Sequence, residues 1–190
     1  MRTALVLLFD GFEEVEALTP IDLLSRAGIE VVQAGAIQAG PIQGRSGITV
    51  LTTTDLAELS DRSFDLIIVP GGPGIQHLRA NRQICARLKQ QVDKGGHIGC
   101  ICAAPLLLLD SGLIDDLSYT CHPAATQELP AAVDQSVVTD GFVTTSRGAG
   151  TAIDFSLALI TQLTNATTAR AVAESICWQP SAEKPDHSSS

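Results

Sequence analysis

Short apolar segments of strand length alternate along this chain with longer segments of helical periodicity. Three of the apolar runs, at residues 3–9, 64–69 and 97–101, are nearly uninterrupted, which is typical of parallel strands covered on both faces. Each run is followed by glycine or other small residues and then by a segment with helical spacing. This alternation predicts an α/β sandwich, in which a mainly parallel sheet is flanked by helices.

The other segments complete a single domain over residues 1–180. We predict helices over residues 14–27, 75–94, 151–163 and 166–176, and further strands over residues 30–34 and 117–121. Glycines between residues 40 and 53 and the pair Asp140-Gly141 each predict a hairpin. The polar residues 181–190 predict a disordered tail.

The charge balance excludes several classes of partner. The 190 residues carry 12 Lys and Arg against 21 Asp and Glu, a formal net charge of −9, and the basic residues form no cluster. We therefore expect no nucleic acid or membrane partner, and no segment is long and apolar enough to span a bilayer. Five cysteines without a CxxC pair indicate neither a disulfide framework nor a zinc site, so we expect a reduced cytoplasmic protein without a metal.

Cys102 stands where an apolar run ends and Pro105 opens the next helix. Backbone N–H groups at the start of a helix have no intrahelical partner and carry the positive end of the helix dipole. A thiol at such a turn is expected to be acidified and nucleophilic, as is the serine at the nucleophile elbow of hydrolases. The alternative is a structural cysteine, because free cysteines are among the most buried residues.

Several other polar residues follow the predicted strands. The carboxyl ends of parallel strands meet at one edge of the sheet, so residues 10–16, 71–74 and 102–104 are expected to face one crevice. Glu13 and Glu14 suit a helix N-terminus, whereas burial of Glu16 in the crevice would keep its carboxyl group protonated as a donor to the thiolate.

The glycine loop at residues 71–74 matches neither a phosphate-binding loop nor a dinucleotide fingerprint. Its N–H groups either stabilise an oxyanion beside Cys102 or form an ordinary turn. His122 is a candidate general base or proton shuttle. Arg26 most simply complements the helix dipole, and Arg147 either presents an anion-friendly turn or is solvated.

Six separated motifs together resemble the ThiJ/PfpI superfamily, and within it the branch of the parkinsonism-associated protein deglycase and YajL. They are Gly11-Phe12-Glu13-Glu14-Val15-Glu16, Ile21-Asp22-Leu23-Leu24 with Arg26-Ala27-Gly28, Val69-Pro70-Gly71-Gly72, Ile101-Cys102-Ala103-Ala104-Pro105, His122-Pro123, and Thr145-Ser146-Arg147-Gly148 through Asp154-Phe155. The resemblance covers residues 3–176 and implies a flavodoxin-like fold with a nucleophile elbow.

The resemblance also implies roles for individual residues. Cys102 is the oxidation-prone nucleophile, Glu16 is the protonated acid beside it, Gly72 and Ala103 supply oxyanion N–H groups together with the Gly71 turn, and His122 is the pocket histidine. It implies a homodimer and no cofactor. The implied activities are conversion of methylglyoxal or glyoxal to a hydroxy acid, removal of early glycation adducts from protein side chains, and redox-dependent chaperoning.

Three departures from the family pattern matter. Ala103 stands where the protease-like branch has histidine, which makes proteolysis unexpected. Cys100 adds a second thiol two residues before Cys102, and strand alternation would turn both toward one face as redox partners. Arg45 and Ser46 stand in reversed order, which alters the anion or dimer site that the resemblance implies at Arg26 and Arg45.

Two functions therefore remain open at the level of sequence. The first is a cysteine-dependent enzyme that detoxifies reactive aldehydes without a cofactor. The second is a redox-sensing chaperone whose cysteine is oxidised to the sulfinic acid, without dedicated catalysis. A hydrolase or amidotransferase would need a Cys-His-acid triad, which the spacing does not supply.

Overall fold

The computed structural model describes residues 1–79 and 81–179, and its centre is a six-stranded sheet. The strands are β1 (Thr3–Leu8), β2 (Glu30–Gly35), β5 (Leu66–Val69), β6 (His97–Ile101), β7 (Val137–Asp140) and β8 (Val143–Ser146). Their order across the sheet is β2-β1-β5-β6-β8-β7, and only the β7–β8 pair is antiparallel. The remaining strands, β3 (Gly40–Gln43) and β4 (Thr49–Thr52), form a separate antiparallel hairpin.

Helices flank this sheet, as the alternating pattern predicted. They are α1 (Glu14–Arg26), α2 (Ile75–Leu78), α3 (Arg82–Asp93), α4 (Pro105–Asp110), α5 (Ala152–Leu163) and α6 (Ala166–Ser175). Helix α5 packs against α1 and α6, whereas α3 packs against α4 and strands β5 and β6. The flavodoxin-like α/β architecture is thereby confirmed. In the described part of the chain, no helix has the length and apolar character needed to cross a membrane.

The core lies between the helices and the uninterrupted apolar strands. Strands β1 and β5 are almost wholly buried, which is the reason their sequences do not alternate between apolar and polar residues. Gly99 lets α5 approach β6 closely, because a Cβ there would stand 2.9 Å from the ring of Phe155. The sheet is therefore a rigid support for the loops at its carboxyl edge.

Two predicted elements are wrong. The helix predicted over residues 75–94 is divided into α2 and α3, because the side chain of Asn81 accepts hydrogen bonds from the N–H groups of Gln83 and Ile84 and starts a new helix. The strand predicted over residues 117–121 is irregular chain. Both edges of β8 are already paired, and the Thr120 N–H donates to the Thr145 hydroxyl instead of to a ladder. The tail predicted at residues 181–190 lies outside the described residues.

Candidate active site

Cys102 follows β6 directly and adopts a backbone conformation that residues other than glycine rarely adopt. Its φ is +65°, in the left-handed region, and such conformations cost on the order of 1–3 kcal/mol. Two backbone hydrogen bonds hold it: its N–H donates to Ser146 O at 2.9 Å, and its carbonyl accepts from the His122 N–H at 2.9 Å. The predicted nucleophile elbow is confirmed, and the side chain remains partly accessible.

The carboxyl group of Glu16 lies against the Cys102 side chain. Glu16 projects from the first turns of α1 and is only 1% exposed. Its Oε2 accepts from the Gly71 N–H at 2.8 Å, and its carboxyl group also bonds to the Ala149 N–H and to the Cys102 thiol. Three loops from the carboxyl edge of the sheet therefore meet at one buried carboxyl group, as the strand topology predicted.

Gly71 makes this close approach geometrically feasible. A Cβ on residue 71 would stand 2.6 Å from Cys102 Cβ and 2.7 Å from Glu16 Oε2. Gly71 was predicted to supply an oxyanion N–H group, but its N–H donates to Glu16 instead. Gly72 and Ala103 are the residues whose N–H groups bond to the Cys102 sulfur.

Burial controls the protonation of Glu16. Desolvation raises the pKa of its carboxyl group to about 7, against the opposing effect of the hydrogen bond from Gly71. Glu16 therefore retains its proton under conditions in which an exposed carboxyl group would be ionised, which is the state that the sequence analysis predicted.

The prediction of a thiol acidified by the turn alone is wrong. Burial raises the pKa of Cys102 to about 12, and an ionised Glu16 contributes to this rise, whereas the N–H groups of Gly72 and Ala103 lower it. The helix that follows, α4, has only six residues, and its dipole does not outweigh the loss of solvent. When Glu16 holds the proton, its repulsion of the thiolate is absent. The ionisation of Cys102 therefore depends on its burial first and on the protonation of Glu16 second.

The raised pKa of Glu16 predicts a pH-dependent stability. Below pH about 4.5 the carboxyl group is protonated in both the folded and the unfolded chain. Between pH about 4.5 and about 7 only the unfolded chain releases the proton, so the free energy of unfolding falls as the pH rises. Across this pH range we expect the free energy of unfolding of the wild type to fall by about 3 kcal/mol more than that of Glu16→Gln, as measured by urea titration. The exposed control Glu174→Gln should keep the wild-type dependence, and parallel wild-type and Glu16→Gln curves would contradict the shift.

His122 is exposed and lies beside the pair. Its Nδ1 accepts from the Ala124 N–H at 3.1 Å, so the neutral imidazole carries its hydrogen on Nε2. Residue 148 is glycine, so the position that a Cβ would take is empty. That position lies 3.4 Å from His122 Cδ2 and 3.7 Å from Glu16 Oε1. His122 and Glu16 thus both lie beside Gly148, and His122 and Gly148 also line a cleft of about 540 Å³ together with Arg147 and residues 149–151.

Three other residues predicted for the site lie in surroundings that differ from those expected. Cys100 is fully buried, and because Cys102 has left the strand, the alternation argument for a redox pair is wrong. Arg26 pairs with Asp22, about 15 Å along α1 from Glu16, so it does not belong to this site. Arg45 pairs with Glu13 at 3.0 Å, and this carboxylate is the main cause that raises the pKa of Arg45, with a smaller contribution from an ionised Cys102.

Sequence reasoning missed two features of the site. The Ala149 N–H binds Glu16, although the sequence indicated only that residues 148–150 precede a helix. Glu14 was interpreted only as an acidic residue that suits a helix N-terminus, but it is buried and accepts from the Ser46 N–H at 2.7 Å, which fixes the β3–β4 hairpin on α1. Within residues 1–79 and 81–179, no three His, Cys, Asp or Glu side chains are grouped as metal ligands.

Comparison with known proteins places this geometry in a family. The DJ-1/PfpI family model matches residues 2–162. The glutathione-independent glyoxalase DJR-1.2 of Caenorhabditis elegans is 33% identical over 181 residues, which cover 93% of this chain and 96% of the relative.

Two solved structures extend the similarity to the fold. DJ-1beta of Drosophila melanogaster has a TM-score of 0.90 at 33% identity, covering 94% of this chain and 98% of that one. Oxidized DJ-1 of Toxoplasma gondii has a TM-score of 0.89 at 29% identity, covering 94% of this chain and 99% of that one. The chain belongs to the DJ-1/PfpI family.

Proposed function

We propose that this protein is an enzyme that converts small reactive aldehydes such as methylglyoxal and glyoxal to hydroxy acids, with Cys102 as nucleophile and without a cofactor. The observation that carries the proposal is the buried Glu16 carboxyl group held against the thiol of an elbow cysteine. A nucleophile needs a partner that takes and returns protons, and a carboxyl group with a pKa of about 7 suits that role near neutral pH. The name of the nematode relative supports the same chemistry.

The first step forms a bond between the Cys102 sulfur and the aldehyde carbon of the substrate. The ionised form of Glu16 takes the proton of the Cys102 thiol as the sulfur–carbon bond forms and passes it to the aldehyde oxygen, which gives a hemithioacetal. The N–H groups of Gly72 and Ala103 stabilise negative charge at the sulfur before the attack. Glu16 is ionised after this step and is ready to act as a base.

The next steps move a proton between the two substrate carbons. Glu16 or His122 removes the proton from the former aldehyde carbon to give an enediol, and a proton returned to the neighbouring carbon gives a thioester. Water then cleaves the thioester, which releases the hydroxy acid and the free thiol. The sum is one aldehyde plus one water to one hydroxy acid, so no external oxidant or reductant is needed. The direct test is conversion of methylglyoxal to lactate by the purified protein in Tris-free buffer.

The cleft beside His122 is larger than methylglyoxal requires. Its volume of about 540 Å³ and its open mouth also suit a glycated side chain presented on a protein surface. We therefore include early glycation adducts in the substrate class. All five cysteines are free thiols, which supports a reducing compartment such as the cytoplasm.

We also propose a homodimer, formed by exposed apolar residues on α1 and the β3–β4 hairpin. Val15 and Leu18 lie three residues apart on α1, and Ile48 and Leu51 are exposed on and beside β4. We expect Val15→Asp to sediment as a monomer because it places a charge in the patch, whereas Val133→Asp, at another exposed site, keeps the dimer. A wild-type protein that sediments as a monomer would contradict the proposal.

A second candidate function is redox sensing by the same cysteine. The observation in its favour is that Cys102 is partly accessible, whereas Cys100 and Cys121 are buried. Mild peroxide is then expected to add oxygen to Cys102 before the exposed Cys177, because the N–H groups of Gly72 and Ala103 bond to the Cys102 sulfur and would stabilise a sulfinate. Mass spectrometry of peptides measures this order, and equal oxidation of Cys102 and Cys177 would argue against sensing.

A further inference from the structure

A second cavity lies at the opposite edge of the sheet from Cys102. It has a volume of about 290 Å³ and lies at the amino ends of β1, β5 and β6. Its lining includes Arg2, Asp65, Arg87, Lys94 and His97. Strand β6 separates this cavity from the elbow, because His97 begins the strand and Cys102 follows its end, about 15 Å away.

Arg87 is a buried cation without a counter-ion. It is only 7% exposed, and within the described residues no carboxylate lies at ion-pair distance from it. Its guanidinium donates to Arg62 O at 2.6 Å, to Gln90 Oε1 at 2.7 Å and, at 3.5 Å, to Ser60 O. A guanidinium has five N–H donors, so two are unused, and Nε is one of the atoms left without a partner. An unpaired buried charge is unfavourable, and a bound anion would relieve it.

The rest of the lining adds positive charge and a second unsatisfied atom. His97 Nδ1 is buried and has no hydrogen-bond partner, and the exposed Lys94 stands at the rim. Among the described residues that line the cavity, Asp65 is the one carboxylate, and it is already bound to Arg2 and to the N–H and hydroxyl groups of Thr3. Arg87 and Lys94 therefore carry uncompensated charge in a chain whose net charge is −9.

We propose that this cavity binds a small molecule through an oxyanion, either a phosphate or a carboxylate group. Arg87 lines the cavity, a guanidinium group has the planar shape that matches two oxygens of such a group, and Lys94 adds a point charge at the rim. One water occupies about 30 Å³ in the liquid, so the cavity has room for an oxyanion and the small body that carries it. This site is independent of the aldehyde chemistry at Cys102.

Calorimetric titration of the full chain tests the proposal, with inorganic phosphate and malonate as separate probes. We expect saturable binding of at least one, and the tighter of the two identifies the group that the cavity prefers. Arg87→Gln should weaken that binding at least about tenfold, because a charge-assisted hydrogen bond is lost. Lys94→Gln should weaken it about threefold or more, since an exposed ion pair contributes less.

Two controls separate this site from others. Arg170→Gln removes the same charge from an exposed position on α6 and should bind as the wild type. Cys102→Ser should also bind as the wild type, so failure of the proposed enzyme activity leaves this test intact. Thermal unfolding checks that Arg87→Gln is folded; if it is not, Lys94→Gln decides. The proposal is overturned if neither probe gives saturable heat up to about 10 mM, or if Lys94→Gln binds as tightly as the wild type.

Discussion

Cys102→Ser is expected to lose methylglyoxal consumption by about 10³-fold or more. The hydroxyl group of serine occupies nearly the same space, so the elbow and its two backbone hydrogen bonds are retained. The variant loses the nucleophile, because a serine hydroxyl group gives up its proton far less readily than a thiol. The neighbouring Glu16 carboxyl group, with a pKa of only about 7, is too weak a base to form an alkoxide. The measurement is the initial rate of methylglyoxal loss and of lactate formation in Tris-free buffer.

Cys177→Ser is the matched control for this experiment. It makes the same atomic change at an exposed cysteine outside the site and should keep the wild-type rate. Thermal unfolding of both variants shows whether either change disturbs the fold. Full retention of activity in Cys102→Ser would refute Cys102 as the nucleophile and with it the proposed mechanism.

Gly72→Ala is expected to destabilise the protein by about 4 kcal/mol, the largest effect on stability that the site predicts. Gly72 has φ of +107°, which an alanine adopts only with strain. A Cβ there would also overlap with Gly11 O and stand 2.6 Å from Glu13 N. Both contacts are with backbone, so relief would require the loop before α1 to move, and Glu16 would move with it.

Gly28→Ala separates the two contributions to this effect. Gly28 has φ of +75°, but nothing lies within 4 Å of where its Cβ would stand. The control should therefore lose only about 1 kcal/mol, from backbone strain alone. Urea unfolding measures both variants. Equal losses at the two positions would show that the close approach of the Gly72 turn to the α1 loop contributes nothing.

Much of the fold could be predicted because its signals are local. The apolar runs at β1 and β6 specify strands buried on both faces, and the Asp140-Gly141 turn specifies the β7–β8 hairpin. The division of α2 from α3 was missed because the helical periodicity continues through Asn81, and only its capping hydrogen bonds reveal the break. The irregular chain before His122 was missed because strand pairing depends on which sheet edges are free.

The meeting of the site residues could be predicted from one rule of sheet topology, but their protonation could not. Parallel strands bring the loops that hold Glu16, Gly71 and Cys102 to one edge, so their meeting follows from the strand order. Protonation follows from burial depth, which sequence does not give. Desolvation and Glu16 affect the pKa of the Cys102 thiol more than the short helix after it does. The same holds for Arg87, whose burial makes an ordinary helical arginine into a candidate anion ligand.

The central claim is that Glu16 holds a proton beside the Cys102 sulfur near neutral pH. Infrared difference spectra between the wild type and Glu16→Gln isolate the carbonyl stretch of this single protonated carboxyl group as the pH is raised. We predict that the band fades with a midpoint close to pH 7, because burial shifts the pKa there. A band that fades near pH 4.5, the ordinary value for glutamate, would contradict the account.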